Sequence, residues 1–173
     1  MAPLLIGSAD LQAQLEALAT TLRGRGWTMC SAESCTGGLI AALCTSLPGS
    51  SDWFERGVVS YSNAAKTELL GVPAALVAAH GAVSREVALA MAEGALAHSA
   101  AQLAVAVTGI AGPGGAVPGK PVGTVWLALA RRADTAGPVS ADAELLQLGG
   151  DRLAVRSATV ARAIARLLAA ARS

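Results

Sequence analysis

Apolar residues recur at helical spacing along much of the chain, and residues that favour helix ends bound these segments. Leucines three or four positions apart over residues 11–22 follow Ser8, a predicted N-cap, and the pattern stops at Gly24 and Gly26. Similar spacing predicts further helices at residues 38–47, 63–71, 84–98 and 153–171. One or two additional helical turns are predicted at residues 73–79.

Short apolar or alternating runs between these helices predict five strands, at residues 27–30, 56–62, 103–107, 124–130 and 143–149. The run at 103–107 is almost entirely apolar, as expected for a strand covered on both faces. Helices that alternate with strands predict an α/β fold. We therefore expect residues 1–173 to form a single domain, a three-layer α/β/α sandwich with a mixed, partly parallel sheet.

Composition supports a domain packed around small side chains. Apolar residues make up 53% of the sequence, but much of this is alanine, with only three Trp, one Tyr and one Phe. No run reaches the roughly 18 uninterrupted apolar residues that span a bilayer, which argues against a membrane role. The N-terminus carries no basic segment and is not a convincing signal peptide.

Charge and cysteine content narrow the partners and the compartment. The formal net charge is +1 at pH 7 and no basic block occurs, which argues against nucleic acid as a partner. Cys30, Cys35 and Cys44 form no CxxC motif, and their odd number is consistent with reduced thiols. These features favour a soluble cytoplasmic domain. The alanine-rich composition also leads us to expect a homo-oligomer, most simply a dimer.

Three predicted strand–loop–helix junctions, at residues 32–38, 61–66 and 108–120, could meet at the carboxyl edge of the sheet, where ligands bind in such folds. The first contains Ser34, Thr36, Gly37 and Gly38 just before a predicted helix. Unpaired N–H groups there attract anions and can hold the oxyanion of a transition state. Ser34 could then attack a carbonyl whose oxygen faces these N–H groups.

Other interpretations of this first loop remain open. Ser34 or Thr36 could simply cap the helix, since both residue types favour that position. Cys35 is a rival nucleophile because thiols are intrinsically more reactive than hydroxyls. Glu33 fits an orienting or capping carboxylate better than a general base.

A serine nucleophile needs a base, and lysine is the better candidate. His80 and His98 show no Ser-His-Asp order and are expected at helix ends. Lys66 lies on a predicted helix after Tyr61, so the two could supply a base and a proton relay. Half of the Lys66 population is neutral at pH 7 only if its pKa falls by about three from the ordinary value of about 10.4. A solvated helix lysine is the alternative.

The other two candidate ligand contacts are less specific. The Gly- and Pro-rich loop at 108–120 could wrap a phosphate or sugar with its backbone, or merely turn the chain. It matches neither the Walker A nor the GxGxxG pattern. Arg152 follows two glycines at the start of the last helix and could contact a phosphate or be a surface charge.

Several ordered motifs together resemble the CinA C-terminal-domain family, whose stand-alone members (PncC) are nicotinamide-mononucleotide amidases. The resemblance covers residues 11–168 and rests on these segments: AESCTGGLIA, WFERGVVSYSNAAKTELLGV, HGAVS, GIAGPGG, KPVGTVW and GDR. The chain departs from many relatives at Ala116, where they continue with Gly or a polar residue.

The resemblance implies an α/β/α domain that hydrolyses the carboxamide of nicotinamide mononucleotide, without metal or cofactor, to nicotinic acid mononucleotide and ammonia. It implies Ser34 as the nucleophile, Lys66 as its base and Tyr61 as an active-site partner. It further implies ligand contacts at Thr108, Gly109 and Gly112. It also implies a phosphate contact at Arg152. The habit of the family also supports the expected homodimer.

Two other functions are alternatives to the amidase. The same loops could hold a nucleotide without chemistry, as in a regulatory binding module. Ser, Tyr and Lys together also suggest a short-chain-dehydrogenase-like enzyme. However, Tyr61 and Lys66 are five positions apart instead of the four of YxxxK, and the N-terminal GxGxxG is missing.

Overall fold

The computed structural model describes residues 8–173. Its helices and strands alternate in the first part of the chain, three consecutive helices and three consecutive strands follow, and one 3₁₀ turn lies at Ser50–Asp52. The helices are α1 Ala9–Arg25, α2 Leu39–Thr45, α3 Asn63–Leu70, α4 Ala74–His80, α5 Arg85–Ala97 and α6 Arg152–Arg172. The strands are β1 Met29–Glu33, β2 Phe54–Val59, β3 Leu103–Gly109, β4 Thr124–Arg131 and β5 Ser140–Gln147.

The five strands form one sheet in the order β2-β1-β3-β4-β5. β1 pairs in parallel with both β2 and β3, whereas β4 pairs antiparallel with β3 and with β5. The predicted mixed, partly parallel sheet is therefore confirmed. Because β1, β2 and β3 run in the same direction, the segments that follow them emerge at one edge.

Helices cover both faces of the sheet, which confirms the three-layer architecture. One core lies between the sheet and helices α1, α2 and α6, and the other lies under α3, α4 and α5. The alternation of β3 shows the division: Val105 faces the first core, while Ala104 and Ala106 face the second. Alanines on this second face let α5 pack close to the sheet.

Local capping signals set several helix ends as the sequence predicts. Ser8 and Ser84 accept hydrogen bonds from backbone N–H groups at the starts of α1 and α5. At the end of α1, Gly26 is left-handed and the Trp27 N–H donates to the Leu22 carbonyl. Trp27 thus belongs to the helix end, and its ring stacks under the Arg25 guanidinium at 3.9 Å.

Two strand boundaries differ from prediction in ways that affect the site. β1 begins at Met29 and extends to Glu33, so the glutamate belongs to the sheet and not to the loop. β2 ends at Val59, which leaves residues 60–62 as a loop before α3. Within the described part of the chain, no helix is long and apolar enough to cross a membrane.

Candidate active site

Glu33, at the carboxyl end of β1, is fully buried and anchors the start of α2. Its carboxylate accepts hydrogen bonds from the hydroxyls of Ser31 and Thr36, at 3.1 and 2.7 Å. It also accepts from the backbone N–H groups of Gly38, Ile40 and Ala41, at 3.0, 3.0 and 2.9 Å. Five donors therefore surround this carboxylate, which agrees with the capping interpretation of Glu33.

Residues 34–38, here called the nucleophile turn, connect β1 to α2. The Gly37 N–H donates to the Ser34 carbonyl at 3.0 Å, and the Gly38 N–H is engaged by Glu33. The N–H groups of Cys35 and Thr36 donate to no other residue among residues 8–173. This differs from the sequence expectation: of the groups proposed for an oxyanion, Thr36 keeps a free N–H, while Gly37 and Gly38 do not.

Lys66 reaches the nucleophile turn from α3. Its Nζ lies 3.2 Å from Ser34 Oγ, 2.9 Å from the Ser60 carbonyl oxygen and 3.3 Å from the Tyr61 carbonyl oxygen. Ser62 caps α3 by accepting from the Ala65 N–H, which fixes the first turn of the helix that carries Lys66. The two residues that the sequence singled out from separate loops therefore lie in hydrogen-bonding contact.

The environment of Lys66 disfavours its charge. The side chain is only 1% exposed, and no carboxylate of residues 8–173 lies within 4.0 Å of Nζ. Burial lowers the pKa of Lys66 below its ordinary value, with a smaller opposing effect from Cys35. A solvated helix lysine, the alternative from sequence, does not describe this residue.

Ser34 and Cys35 lie side by side but differ in their surroundings. Ser34 is 9% exposed, and its N–H donates to the Val107 carbonyl of β3 at 3.0 Å. Burial raises the pKa of the Cys35 thiol to about 11. A thiol with such a pKa stays protonated near neutral pH, so the environment does not activate the rival nucleophile.

The Tyr61 side chain does not contact the Ser34–Lys66 pair by a hydrogen bond. It precedes α3, is 59% exposed, and its hydroxyl accepts from Arg152 Nη2 at 3.1 Å. Arg152 Nη1 donates to the Gly112 carbonyl at 2.9 Å, so the guanidinium links the loops after β2 and β3. As expected, Tyr61 precedes the helix that carries Lys66, and its carbonyl oxygen lies 3.3 Å from the Lys66 amine. Its role as an active-site partner stays a prediction.

Two remaining predicted contacts, Thr108 and Gly109, lie at the end of β3, just before the loop that follows it, and have structural partners. The Thr108 hydroxyl donates to the Ala82 carbonyl at 2.8 Å, and it lies one residue past the Glu33–Val107 pair of neighbouring strands. A Cβ added to Gly109 would lie 2.5 Å from Val125, so this glycine permits close strand packing. A groove of about 500 Å³ lies beside this loop, lined by residues 111, 113, 122 and 150–153.

Both histidines are at helix ends, as expected. His80 ends α4, and His98 caps α5 with its Nδ1 2.8 Å from the Gly94 carbonyl. Neither ring contacts Ser34. Within residues 8–173, no group of three or more His, Cys, Asp or Glu side chains could hold a metal ion.

Two residues at the site were not predicted from the sequence. Ser60 contributes its carbonyl to Lys66 while its own buried hydroxyl has no partner among the described residues. Arg156 Nη2 donates to the Thr36 carbonyl at 2.9 Å. A usable signal existed for Arg156: it lies one helical turn after Arg152, on the same face of α6.

The fold and this geometry define a three-layer α/β/α protein with a buried serine–lysine pair at the carboxyl edge of its sheet. The family model described as the CinA C-terminal domain matches residues 11–171. The chain belongs to the CinA C-terminal domain family.

Individual relatives agree with this assignment. The chain is 56% identical over 138 residues to the nicotinamide-nucleotide amidohydrolase PncC of Pseudomonas putida, covering 80% of this chain and 82% of that protein. It is 51% identical over 148 residues to a CinA-like protein of Chlorobium luteolum, covering 86% of this chain and 33% of the relative. The chain thus spans about a third of the length of the CinA-like relatives.

Solved structures share the fold. The competence/damage inducible protein CihA from Agrobacterium tumefaciens superposes with a TM-score of 0.87 at 44% identity, over 94% of this chain and 96% of that one. A CinA superfamily protein from Klebsiella pneumoniae 700603 gives a TM-score of 0.86 at 34% identity, over 94% and 98%.

Proposed function

We propose that this protein hydrolyses the carboxamide of nicotinamide mononucleotide, giving nicotinic acid mononucleotide and ammonia through an acyl-enzyme on Ser34. The observation that carries the proposal is the buried Lys66 Nζ, 3.2 Å from Ser34 Oγ and without a carboxylate partner among the described residues. The similarity to the relative named nicotinamide-nucleotide amidohydrolase supports the substrate class.

The contacts of Lys66 suit a neutral amine. Such an amine has two N–H donors and one lone pair, whereas the ammonium has three donors. The carbonyls of Ser60 and Tyr61 can accept both N–H groups, at 2.9 and 3.3 Å, which leaves the lone pair toward the Ser34 hydroxyl. Lys66 then takes the hydroxyl proton while Ser34 Oγ bonds to the carboxamide carbon.

The carbonyl oxygen becomes an oxyanion in this step. The free N–H groups of Cys35 and Thr36 are the donors within the nucleophile turn that can receive it. The protonated Lys66 then gives its proton to the amide nitrogen and the C–N bond breaks. Ammonia leaves, and the acyl group remains bound to Ser34 as an ester.

Water completes the cycle by the reverse proton path. Neutral Lys66 takes a proton from water as the water oxygen attacks the ester, and returns that proton to Ser34 Oγ as the acid product leaves. Arg152, at the mouth of the groove beside the loop after β3, would hold the phosphate of the mononucleotide.

The test is ammonia release from nicotinamide mononucleotide by the wild type and by Ser34→Ala and Lys66→Ala. Both variants should lose nearly all activity, because a general base alone contributes about 10²- to 10⁴-fold. Lys120→Ala is the matched control, since Lys120 is the other lysine of the chain and its exposed amine bonds the His80 carbonyl instead.

Two outcomes would overturn the proposal. Undiminished ammonia release by Ser34→Ala would eliminate the mechanism. Tight binding of the mononucleotide by the wild type without any ammonia release would favour the regulatory binding module. A panel with nicotinamide riboside and free nicotinamide would show whether the phosphate is required, and Arg152→Ala should raise KM for the mononucleotide alone.

A further inference from the structure

We propose that Arg156 is a positioning residue that holds the nucleophile turn in the conformation that binds the oxyanion. The inference rests on the function proposed above. Arg156 lies on α6, 120 positions along the chain from Thr36, and donates from Nη2 to the Thr36 carbonyl at 2.9 Å. The only other donor to this carbonyl within residues 8–173 is the Leu39 N–H, at a longer 3.3 Å.

The setting of Arg156 differs from that of other arginines on the same helix. Arg162 pairs with Glu144 and Arg166 with Asp142, in exposed ion pairs. Arg156 has no carboxylate of residues 8–173 within 4.0 Å, and its buried Nε has no acceptor among these residues. The placement of Arg156 therefore needs a reason other than an ion pair.

The nucleophile turn supplies that reason, because it is held from two sides. Glu33 accepts the Thr36 hydroxyl from the β1 side, and Arg156 donates to the Thr36 carbonyl from the α6 side. The next two residues, Gly37 and Gly38, have φ values of 59° and 96°, a region where glycine is little restrained. Without Arg156, the Thr36–Gly37 peptide would keep only the Gly37 N–H bond to the Ser34 carbonyl, at 3.0 Å, and the longer bond from the Leu39 N–H, at 3.3 Å. It would then be held less firmly, and the N–H groups before it could shift.

Charge acts in the same direction. The Arg156 guanidinium opposes the effect of burial on the pKa of the Cys35 thiol, so its positive charge acts at the residue next to Ser34. A cation near Cys35 and Ser34 also favours the negative oxygen that forms when Ser34 attacks the carboxamide. The position that fixes the turn is therefore also one that stabilises the developing charge.

The first experiment compares kcat and KM for ammonia release among Arg156→Ala, Arg156→Lys and the control Arg162→Ala. We expect kcat of Arg156→Ala to fall about a hundredfold per folded molecule, as for a small misplacement of a reacting group. KM should change by less than about threefold, because the proposed role of Arg156 is to hold the turn through the Thr36 carbonyl and not to bind the substrate. Arg156→Lys should recover at least about tenfold of the loss, since an ammonium can still donate to the Thr36 carbonyl.

A second experiment uses no carboxamide. A fluorophosphonate probe places its phosphoryl oxygen where the oxyanion would lie, and the rate of Ser34 modification is followed by peptide mass spectrometry. Arg156→Ala should react about a hundredfold more slowly than the wild type, and Arg162→Ala at the wild-type rate.

The outcomes separate the two proposals. If the wild type releases no ammonia but its Ser34 reacts with the probe, the proposed amidase function fails and the probe rates still test Arg156. Equal probe rates in Arg156→Ala and Arg162→Ala would overturn the role of Arg156, as would a loss confined to thermal stability. A wild type that neither releases ammonia nor reacts with the probe at Ser34 would overturn both.

Discussion

Replacing Lys66 by methionine tests the physical basis of the proposed chemistry without any substrate. Methionine is an unbranched apolar side chain of similar length, so it fills the buried site while removing the charge. Burial lowers the pKa of Lys66, which means that the folded chain binds this proton more weakly than the unfolded chain. The unfolding free energy of the wild type must therefore depend on pH in a way that Lys66→Met does not.

The sign and size of this dependence follow from one proton. Between the lowered pKa of the folded state and the ordinary lysine value of about 10.4, the unfolded chain carries a proton that the folded chain lacks. The unfolding free energy thus rises with pH in this window, with a slope of at most about 1.4 kcal/mol per pH unit. Below the window, the whole penalty of burying the charge is present.

The assay is urea unfolding of the wild type and Lys66→Met at several values between about pH 7 and pH 10. The variant should gain most stability relative to the wild type at the low end, and the difference should shrink as pH rises. Effects of Cys30 and Cys44 cancel in this difference because both proteins contain them, whereas Cys35 interacts with Lys66 and adds a smaller opposing effect. Lys120→Met, on the surface, is the control and should show no such trend.

Activity must follow the same proton. The kcat/KM for ammonia release should rise with pH through the lowered pKa of Lys66, because only the neutral amine can accept the Ser34 proton. Lys66→Arg should be inactive, since a guanidinium keeps its proton throughout this range. A stability difference that does not change with pH, or an active Lys66→Arg, would refute the reasoning.

Three further predictions concern Glu33, the contrast between Gly94 and Gly24, and Cys30. Glu33→Gln should lower the unfolding free energy by about 3 kcal/mol in urea titrations. The reason is that the NH₂ group of glutamine would face N–H and O–H groups that now donate to the carboxylate. Gly94→Ala should destabilise the fold and lower kcat, because its Cβ would lie 2.0 Å from the Leu70 carbonyl of the helix that carries the base. Gly24→Ala, with open space around it, should instead raise the unfolding free energy by roughly 0.5–1 kcal/mol. A similar change in unfolding free energy for both glycine variants would contradict this contrast. Burial raises the pKa of Cys30 to about 11, so the unfolded thiol loses its proton first and stability falls above about pH 8.5. Cys30→Ala should reduce this alkaline loss by up to about 1.4 kcal/mol per pH unit in urea titrations, and an unchanged loss would contradict the assignment.

Features determined by neighbouring residues could be predicted from the sequence. Ser8 and Ser84 were placed at helix starts because an N-cap hydroxyl acts within three residues of itself. The carboxyl edge of the sheet as the meeting place of the loops also followed, because parallel strands deliver their ends to one side. The prediction of strand 27–30 was shifted because the end of α1 takes up Trp27, a detail of helix termination that the apolar pattern does not contain.

The contacts that complete the site could not be predicted, because they join residues far apart in sequence. The sequence could place Lys66 near Ser34 but not orient its amine between two carbonyls, one of them from Ser60. Likewise, Arg156 and Thr36 are brought together only by the packing of α6 beside the nucleophile turn. The donors expected for an oxyanion stay a prediction, but the sequence could not show that Glu33 accepts from the Gly38 N–H and the Ser34 carbonyl from the Gly37 N–H, since an isolated helix start would leave both open.

The alternation of β1 explains why the supporting carboxylate and the nucleophile are adjacent in sequence yet act on opposite faces. Side chains of a strand point alternately to its two sides, and this continues one residue past the end of β1. Glu33 therefore points toward α2 and takes up the first N–H groups of that helix, while Ser34 points toward α3 and Lys66. With the helix donors occupied, an oxyanion must be met by the turn between strand and helix. In the proposed mechanism, the conformation of that turn is then the sensitive point of the site, and Arg156 donates to its Thr36 carbonyl from the α6 side.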